Sequence, residues 1–139
     1  MSIVQGLTNS FLQQILLGEH DLETDTLKMA LYTASADLNQ STTVYSTTNE
    51  ISGTGYTAGG ETLTDVTVNL SGSTAYVSFT NPSWNPASFT ARCALIYNSS
   101  KSNKSIAVLD FGSDKTTTSI FTVQLPANTA QNALIRISS

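Results

Sequence analysis

The chain is poor in charge, and above all in positive charge. Charged residues make up 12% of its 139 residues, with six Lys and Arg against ten Asp and Glu, whereas soluble domains average about 25%. The basic residues are scattered, and a nucleic-acid surface needs them clustered. We therefore expect no nucleic-acid partner.

Cysteine and long apolar runs are also scarce. The single cysteine, Cys93, excludes an intrachain disulfide. No apolar stretch approaches the length of a membrane-crossing helix, and the first residues lack the basic and apolar regions of a secretory signal. We expect a soluble protein with no membrane partner, made in a cytoplasm and stabilised by packing.

What the chain does contain is typical of a single β domain. Its length is that of one domain, which we assign to residues 1–139. Hydrophobic residues make up 40% of it, enough for one core. The abundant Thr, together with Val, Ile and the aromatic residues, favours strands. The composition therefore predicts an all-β protein.

The first eighteen residues carry a helical pattern. Ser2 and Gln5 match the capping box of a helix N-terminus, and Gly18 is a typical helix stop. Apolar residues recur between them at spacings of three and four, namely Val4, Leu7, Phe11, Ile15 and Leu16. The pattern predicts one amphipathic helix over residues 1–18. It either packs on the protein's own sheet or, because its polar face is uncharged, contacts another protein.

From residue 26 to residue 139 the pattern changes to that of a β-sandwich or jelly roll. Strands are predicted from Leu27 and at 62–70, 74–80, 89–98, 105–111, 118–125 and 132–138, joined by turns at 71–73, 98–104 and 112–115 and by a Pro-containing connection at 81–86. A long polar loop, residues 34–60, interrupts the series, and loops of that length are usually functional or assembly arms. The fold class is all-β, with about seven to eight strands and one N-terminal helix.

Three strands have predicted faces. Residues 106–109 are apolar on both faces, which is typical of a central strand. Alternation places two sets of side chains on one face each: Phe89, Ala91, Cys93, Leu95 and Tyr97 in one strand, and Phe121, Val123 and Leu125 in another.

A glycine-rich segment lies inside the long loop. Residues 53–58, Gly53-Thr54-Gly55-Tyr56-Thr57-Ala58, fit the letters of the dinucleotide fingerprint G-x-G-x-x-(G/A). That motif requires a strand before it and a helix after it. Polar, irregular residues precede it and a strand pattern follows it. The segment is better interpreted as an ordered surface loop that takes part in binding or assembly.

Four polar residues or groups were weighed as sites. The acidic run 19–25 could bind Ca²⁺, but it lacks the EF-hand pattern and is interpreted as a solvated linker. His20 has no nucleophile at a recognisable motif, so no catalytic residue is assigned. Cys93 is expected to behave as a small core hydrophobe, and Asp110 to pair with Arg92 or Arg136. We predict no metal and no cofactor.

The candidate interface residues are aromatic side chains in loops and one glycine. Trp84 lies in the Pro-flanked connection and either covers the end of the sandwich, anchors a protein interface or stacks on a sugar. Tyr45 and Tyr56 lie in the long loop, with Gly55 beside Tyr56. We expect Tyr45, Gly55, Tyr56 and Trp84 to contribute to an interface.

Four segments in the same order resemble a family of small virion proteins from tailed bacteriophages. They are residues 27–33 (LKMALYT), 48–60 (TNEISGTGYTAGG), 89–98 (FTARCALIYN) and 108–115 (VLDFGSDK). The resemblance extends over most of the chain. The one departure is Cys93, where a small residue is expected.

The resemblance implies a virion structural protein without enzymatic activity. It implies a capsid cement or decoration protein, made in the bacterial cytoplasm, that binds the outer capsid surface as a dimer or trimer and stabilises contacts between major capsid subunits. Its implied partners are the major capsid protein and further copies of itself. The alternatives are a tail, neck or fibre-associated protein and a carbohydrate-binding module on the virion.

Overall fold

The computed structural model describes residues 2–138, which form an all-β fold with one helix. Strands account for 42% of the chain and helical residues, α and 3-10 together, for 8%, so the predicted fold class is confirmed. Met1 and Ser139, the first and last residues of the predicted domain, lie outside the described residues. Met1 is also the first residue of the predicted helix. Among residues 2–138 the helix is eight residues long and too short to cross a membrane.

The strands pair with their neighbours in antiparallel orientation. In chain order the elements are β1 (Gly6–Leu7), α1 (Asn9–Leu16), β2 (Leu27–Tyr32), β3 (Glu61–Thr62), β4 (Thr67–Ser71), β5 (Thr74–Ser78), β6 (Ser83–Trp84), β7 (Phe89–Asn98), β8 (Lys104–Thr117), β9 (Phe121–Thr122) and β10 (Arg136–Ser138). A 3-10 turn, Ser99–Lys101, joins β7 to β8. The strands make three sheets, ordered β1-β8-β7-β2-β3, β10-β5-β4 and β6-β9.

The helix begins later than predicted. Gly6 and Leu7 are a short strand paired with Val108 and Ala107 of β8, and the φ of Gly6, +146°, is incompatible with a helix. The cap is Thr8, whose hydroxyl accepts the Phe11 N–H at 3.4 Å. Gly18, with φ +75°, lies just past the helix, in agreement with the predicted stop.

The predicted capping box is therefore wrong. The Ser2 N–H donates to Asp37 at 2.7 Å, and Gln5 Oε1 accepts the Asp110 N–H at 3.0 Å. Both residues bind parts of the chain that are distant in sequence. Gly6 and Leu7 pair with β8 instead of starting the helix, because this pairing satisfies backbone N–H and C=O groups that the first turn of a helix would leave without partners.

A bulge in the pairing of β7 with β8, with its extra residues in β8, changes which side chains share a face. The register of β7 on β8 shifts between Ala91 and Cys93, because residues 111–114 of β8 lie opposite the single Arg92. Phe89 and Ala91 pack in the large core, whereas Cys93, Leu95 and Tyr97 pack on the opposite side of the sheet. The prediction that all five line one face is wrong.

The same bulge explains the missing turn. Residues 112–115 do not reverse the chain, and β8 continues through them to Thr117. Gly112 has φ +82°, which fits the irregular strand there. The predicted turns at 71–73 and 98–104 are confirmed. The strands predicted at 118–125 and 132–138 shorten to β9 and β10.

The five-stranded sheet is buried on both faces. On one face the smaller sheets and α1 cover the large core, which includes Leu27, Met29, Val77, Trp84, Phe121 and Ile135. On the other face Ala36, Leu38 and Tyr45 of the loop 33–60 pack in a smaller cluster that includes Leu95. Ile51 and Tyr56 of the same loop pack in the large core. Strand β8 lies between β1 and β7 and is buried over Ile106–Val108, as predicted for residues 106–109. The long loop is therefore one wall of the fold.

Candidate functional site

The loop of residues 33–60 is organised around the carboxylate of Glu50. Tyr45 donates its hydroxyl to Oε1 at 2.6 Å. Tyr56 donates its hydroxyl to Oε2, and the Gly59 N–H donates to the same oxygen at 2.8 Å. Because charge-assisted hydrogen bonds are the strong ones, Glu50 ties three separate points of the loop together.

Tyrosine hydroxyls fasten this loop to the large sheet. The Tyr56 oxygen accepts the Leu31 N–H at 3.0 Å, and Tyr97 of β7 donates to the Gly59 carbonyl at 2.6 Å. Tyr45 stacks on Tyr97 with ring centroids 4.6 Å apart. Burial, together with the nearby Glu50 charge, raises the pKa of Tyr97 to about 12 and raises the pKa of Tyr45 and Tyr56 as well. These hydroxyls are neutral donors and acceptors in the structure.

The glycines of the fingerprint-like segment allow close backbone contacts. A Cβ on Gly55 would lie 1.9 Å from the Pro86 carbonyl oxygen, and one on Gly60 would lie 1.8 Å from the Met29 carbonyl oxygen. Thr54 pairs with Ser88 beside them. Strand β3 follows the segment, so no helix N-terminus is available to hold a phosphate.

The structure brings three of the four predicted interface residues together. Trp84 is 2% exposed and packs in the core, with its ring 6.3 Å from Tyr56 and 6.0 Å from Phe121. This position agrees with the alternative in which Trp84 covers the end of the sandwich. Gly55 lies against Pro86 in the same region. Tyr45 is linked to Tyr56 through Glu50. A role of these residues in an interface stays a prediction.

His20 is buried as a neutral imidazole beside the helix. Its Nδ1 accepts a hydrogen bond from the Asn98 amide at 3.0 Å, and its Nε2 donates to Gln14 Oε1 at 2.9 Å. The Asn98 amide is held in this orientation because its oxygen accepts the Ser100 N–H at 3.0 Å. Burial, reinforced by Lys104, lowers the pKa of His20, although Asp25 and Glu19 oppose this.

The acidic segment 19–25 is a linker tied to the strands. Asp25 accepts hydrogen bonds from Asn98 at 2.8 Å and Lys101 at 3.3 Å, and Glu19 accepts one from Lys104 at 2.6 Å. Burial alone would raise the pKa of Asp25, but the hydrogen bonds that its carboxylate accepts from Asn98, the Asp21 backbone and Lys101 outweigh burial and lower the pKa. Within residues 2–138, no three His, Cys, Asp or Glu side chains come together as a metal site.

Cys93 and Asp110 are placed as expected. Cys93 is fully buried, and burial followed by the Asp110 charge raises the pKa of its thiol to about 12. It is a core side chain with no reactive thiolate. Asp110 pairs with Arg92 at 3.4 Å, whereas Arg136 donates to the Ala130 carbonyl at 3.3 Å. The predicted ion pair is confirmed for Arg92.

An apolar groove runs between α1 and the three-stranded sheet. It encloses about 420 Å³, and its walls come from both elements. Leu12 and Ile15 form the helix side, and Val77 and Ile135 lie on the sheet side. Asp21 and Arg136 are the charged residues that border it.

Six exposed aliphatic side chains either line this groove or closely follow its lining residues along the chain, and we call them, with the groove, the groove surface. They are Leu12 (47% exposed), Leu16 (86%) and Leu17 (67%) at the helix, Val68 (46%) and Leu70 (77%) on β4, and Ile137 (55%) on β10. Leu70 of β4 and Ile137 of β10 share one face of the sheet, on either side of Ala75, which pairs with both. Scattered single apolar residues need no explanation, but a contiguous apolar surface marks a contact site.

Sequence reasoning located only part of this surface. The sequence pattern places Leu16 on the apolar face of a longer helix, yet it is the most exposed of the six. The uncharged character of the helix was the signal that pointed to a partner. Val68 and Leu70 were predicted as ordinary strand residues, since alternation alone does not show whether a strand face is covered.

A second, more polar cleft lies along the far half of β8. It encloses about 690 Å³ and is lined by backbone and side chains that include Gln5, Asp110, Phe111, Lys115, Gln124 and Leu125. Its lining mixes an aromatic ring with carboxylate, ammonium and amide groups. Such a mixture suits a polar ligand better than a protein interface.

Comparison with protein-family models, with curated proteins and with solved structures finds no match for this chain.

Proposed function

We propose that the chain is a structural protein of a tailed-bacteriophage virion, a cement or decoration protein that stabilises contacts between major capsid subunits. The observation that carries an assembly role is the groove surface, an exposed apolar surface suited to contact with another protein chain. The contact with the shell itself is assigned to the loop of residues 33–60. The virion assignment is supported by the four-segment resemblance of the sequence.

The mechanism follows from mass action. A protein that binds the closed shell, and binds free capsid subunits less well, shifts the equilibrium toward the assembled state. Its own rigidity adds to this, because a preformed surface loses little conformational entropy on binding. The Glu50 hydrogen bonds hold residues 33–60 in one conformation before any partner arrives. We propose that the shell contacts this loop.

The exposed part of the loop suits that contact. Val44 is 48% exposed next to Tyr45, and residues 46–49 are exposed polar residues. Val44 is fixed from behind by its bridge to Lys104 of β8. We expect Val44→Lys to weaken binding to particles without unfolding the protein.

Copy number in purified particles tests the proposal. A cement protein is present in numbers comparable to the major capsid protein, and particles lacking it lose DNA at lower temperature. A number matching one tail or one vertex would move the assignment to a tail, neck or fibre-associated protein. Absence from particles would overturn the virion role altogether.

The polar cleft along β8 favours a second candidate, a carbohydrate-binding module. Phe111 offers a ring for stacking, and Asp110 and Gln124 offer hydrogen-bonding groups. Trp84, the ring first considered for this role, is buried. Glycan-array binding that Phe111→Ala abolishes would support this function, and no binding on the array would remove it.

A further inference from the structure

We propose that the groove surface binds the groove surface of a second copy, so that the chain forms a two-fold symmetric dimer. The resemblance implies a dimer or trimer without saying how its copies meet, whereas this proposal assigns the contact surface and its two-fold symmetry. It does not rest on the capsid role, because the contact would form in solution without a shell. The occupant is inferred from four properties of the surface: its shape, its charge, its strand edge and its area.

The surface carries both a projection and a recess. Leu16 and Leu17 stand nearly free at the end of α1. The groove beside them is open and lined by Leu12, Ile15 and Ile137. A two-fold contact uses one patch on both partners, so a patch with a projection next to a recess is complementary to itself. The helix end of each copy would enter the groove of the other.

The helix and the edge strand that carry most of the surface are uncharged, and the charged groups near it are Asp21 and Arg136 at the groove and Glu23 at the β4 edge. Neither α1 (Asn9–Leu16) nor β4 (Thr67–Ser71) contains a charged residue. The lack of charge on these two elements matters more for a second copy than for any other partner. A two-fold axis brings a charged side chain near the axis next to the same side chain of the other copy. Like charges brought together in this way oppose association. The core of protein interfaces is depleted in charge for the same reason.

The free edge of β4 is partly blocked by a side chain of the same protein. A second copy is therefore more favourably packed on the side-chain face of the sheet than added as a further strand. The Val68 N–H points away from β5 and donates to Glu23 Oε2 at 2.9 Å. A carboxylate on an edge N–H competes with a partner strand for that position. The partner is therefore expected on the side-chain face, where Val68, Leu70 and Ile137 lie.

The exposed area is sufficient for a dimer. At roughly 100 Å² for a fully exposed aliphatic side chain, the six side chains present roughly 400 Å² of apolar surface at the exposures given above. A standard interface takes about 800 Å² from each partner, somewhat more than half of it apolar. The groove walls and the polar rim supply the remainder.

A matched pair of substitutions tests the proposal. Ile137 (55% exposed) lies in the groove surface, whereas Ile120 (51% exposed) lies outside it. Sedimentation equilibrium of the purified full chain should show a monomer–dimer equilibrium. Ile137→Lys should raise the dissociation constant at least tenfold, and Ile120→Lys should leave it unchanged. Leu16→Lys, at a side chain that is 86% exposed, should raise the dissociation constant as Ile137→Lys does. An unchanged circular dichroism melt of this variant would show that the effect does not come from misfolding.

The outcomes separate this proposal from the capsid role. A wild-type chain that stays monomeric to millimolar concentration overturns the dimer, even if the chain is abundant in particles. A chain that is monomeric alone, but whose Ile137→Lys variant fails to join particles, shows that the groove holds a different virion protein. Equal effects of Ile137→Lys and Ile120→Lys also overturn the proposal. A dimer in solution, combined with absence from particles, leaves it standing while the capsid role fails.

Discussion

The loop of residues 33–60 and the groove surface differ in how their side chains are used. Residues 33–60 contain glycines, tyrosines and a carboxylate, and the structure uses these groups internally, around Glu50 and against the backbone of Met29 and Pro86. The groove surface contains ordinary aliphatic residues, and six of its side chains are between 46% and 86% exposed. Chemical variety in a loop is therefore no sign of a site unless the groups remain free.

The largest effect is expected from the glycine contacts. Gly60→Ala places a Cβ 1.8 Å from the Met29 carbonyl oxygen, so the loop must separate from β2. Gly112→Ala is the control, because its φ of +82° nearly equals the +83° of Gly60 while nothing lies within 4 Å. We expect the control to lose about 1 to 2 kcal/mol of unfolding free energy, and Gly60→Ala to lose about 1 to 3 kcal/mol more because of the overlap.

Urea unfolding of both variants measures the difference. Equal losses would show that only backbone conformation matters at Gly60. In that case the close approach of the loop to β2 would not stabilise the fold.

The next effect is expected from the carboxylate. Glu50→Ala leaves the hydroxyls of Tyr45 and Tyr56 and the Gly59 N–H without their acceptor, which should cost about 2 kcal/mol of unfolding free energy. Glu61→Ala, on an exposed glutamate of β3, should stay within about 0.5 kcal/mol of the wild type. Hydrogen exchange at residues 45–60 should accelerate in Glu50→Ala alone. Unchanged exchange there would mean that the loop is held by other contacts.

A smaller effect is expected from pH, through His20 in the lining of the groove. The pKa of His20 is lowered from its ordinary 6.5 in the folded protein, so the unfolded chain takes up a proton first as the pH falls. Stability is therefore complete above about pH 6.5 and declines as the pH falls toward the folded pKa. A proton on Nδ1 would face the Asn98 amide donor.

The charged groups around His20 are Asp25, Lys104, Glu19 and Lys101. Urea unfolding at pH 7.5 and 5.5 should show a loss for the wild type and a smaller loss for His20→Gln. The single histidine makes its ring resonances in NMR a direct titration. A His20 pKa at or above 6.5 would contradict the buried neutral imidazole.

The smallest effect on stability is expected at the groove surface. Leu16→Ser removes a side chain that is 86% exposed, so the unfolding free energy of the monomer should change by less than about 0.5 kcal/mol. Self-association should nevertheless weaken. A loss as large as that of Glu50→Ala, measured at a concentration where the chain is monomeric, would show that Leu16 is packed within its own chain.

The sequence was most informative where local pattern and tertiary structure agree. The alternation at 27–31 predicted β2, and the Gly72 turn predicted the β4–β5 hairpin. The pairing of Asp110 with a nearby arginine and the burial of Cys93 were also accessible from residue type and strand position.

The errors have one physical cause, which is competition from distant parts of the chain. The bulge at Arg92 depends on the extra residues 111–114 in β8, and the alternation of β7 gives no sign of it. The start of α1 is set by pairing of Gly6 with Val108. Glu50 has no motif, because its three donors come from different turns of the loop. The groove surface was missed because exposure depends on what the opposite sheet covers.

The contrast between the two regions can be measured in one experiment. Amide NMR spectra of the full chain, recorded from micromolar to millimolar concentration, report which residues enter a contact. We predict concentration-dependent shifts at residues 12–17, 68–70 and 137, with residues 50–60 unchanged. Shifts confined to residues 50–60, with a silent groove surface, would contradict this prediction.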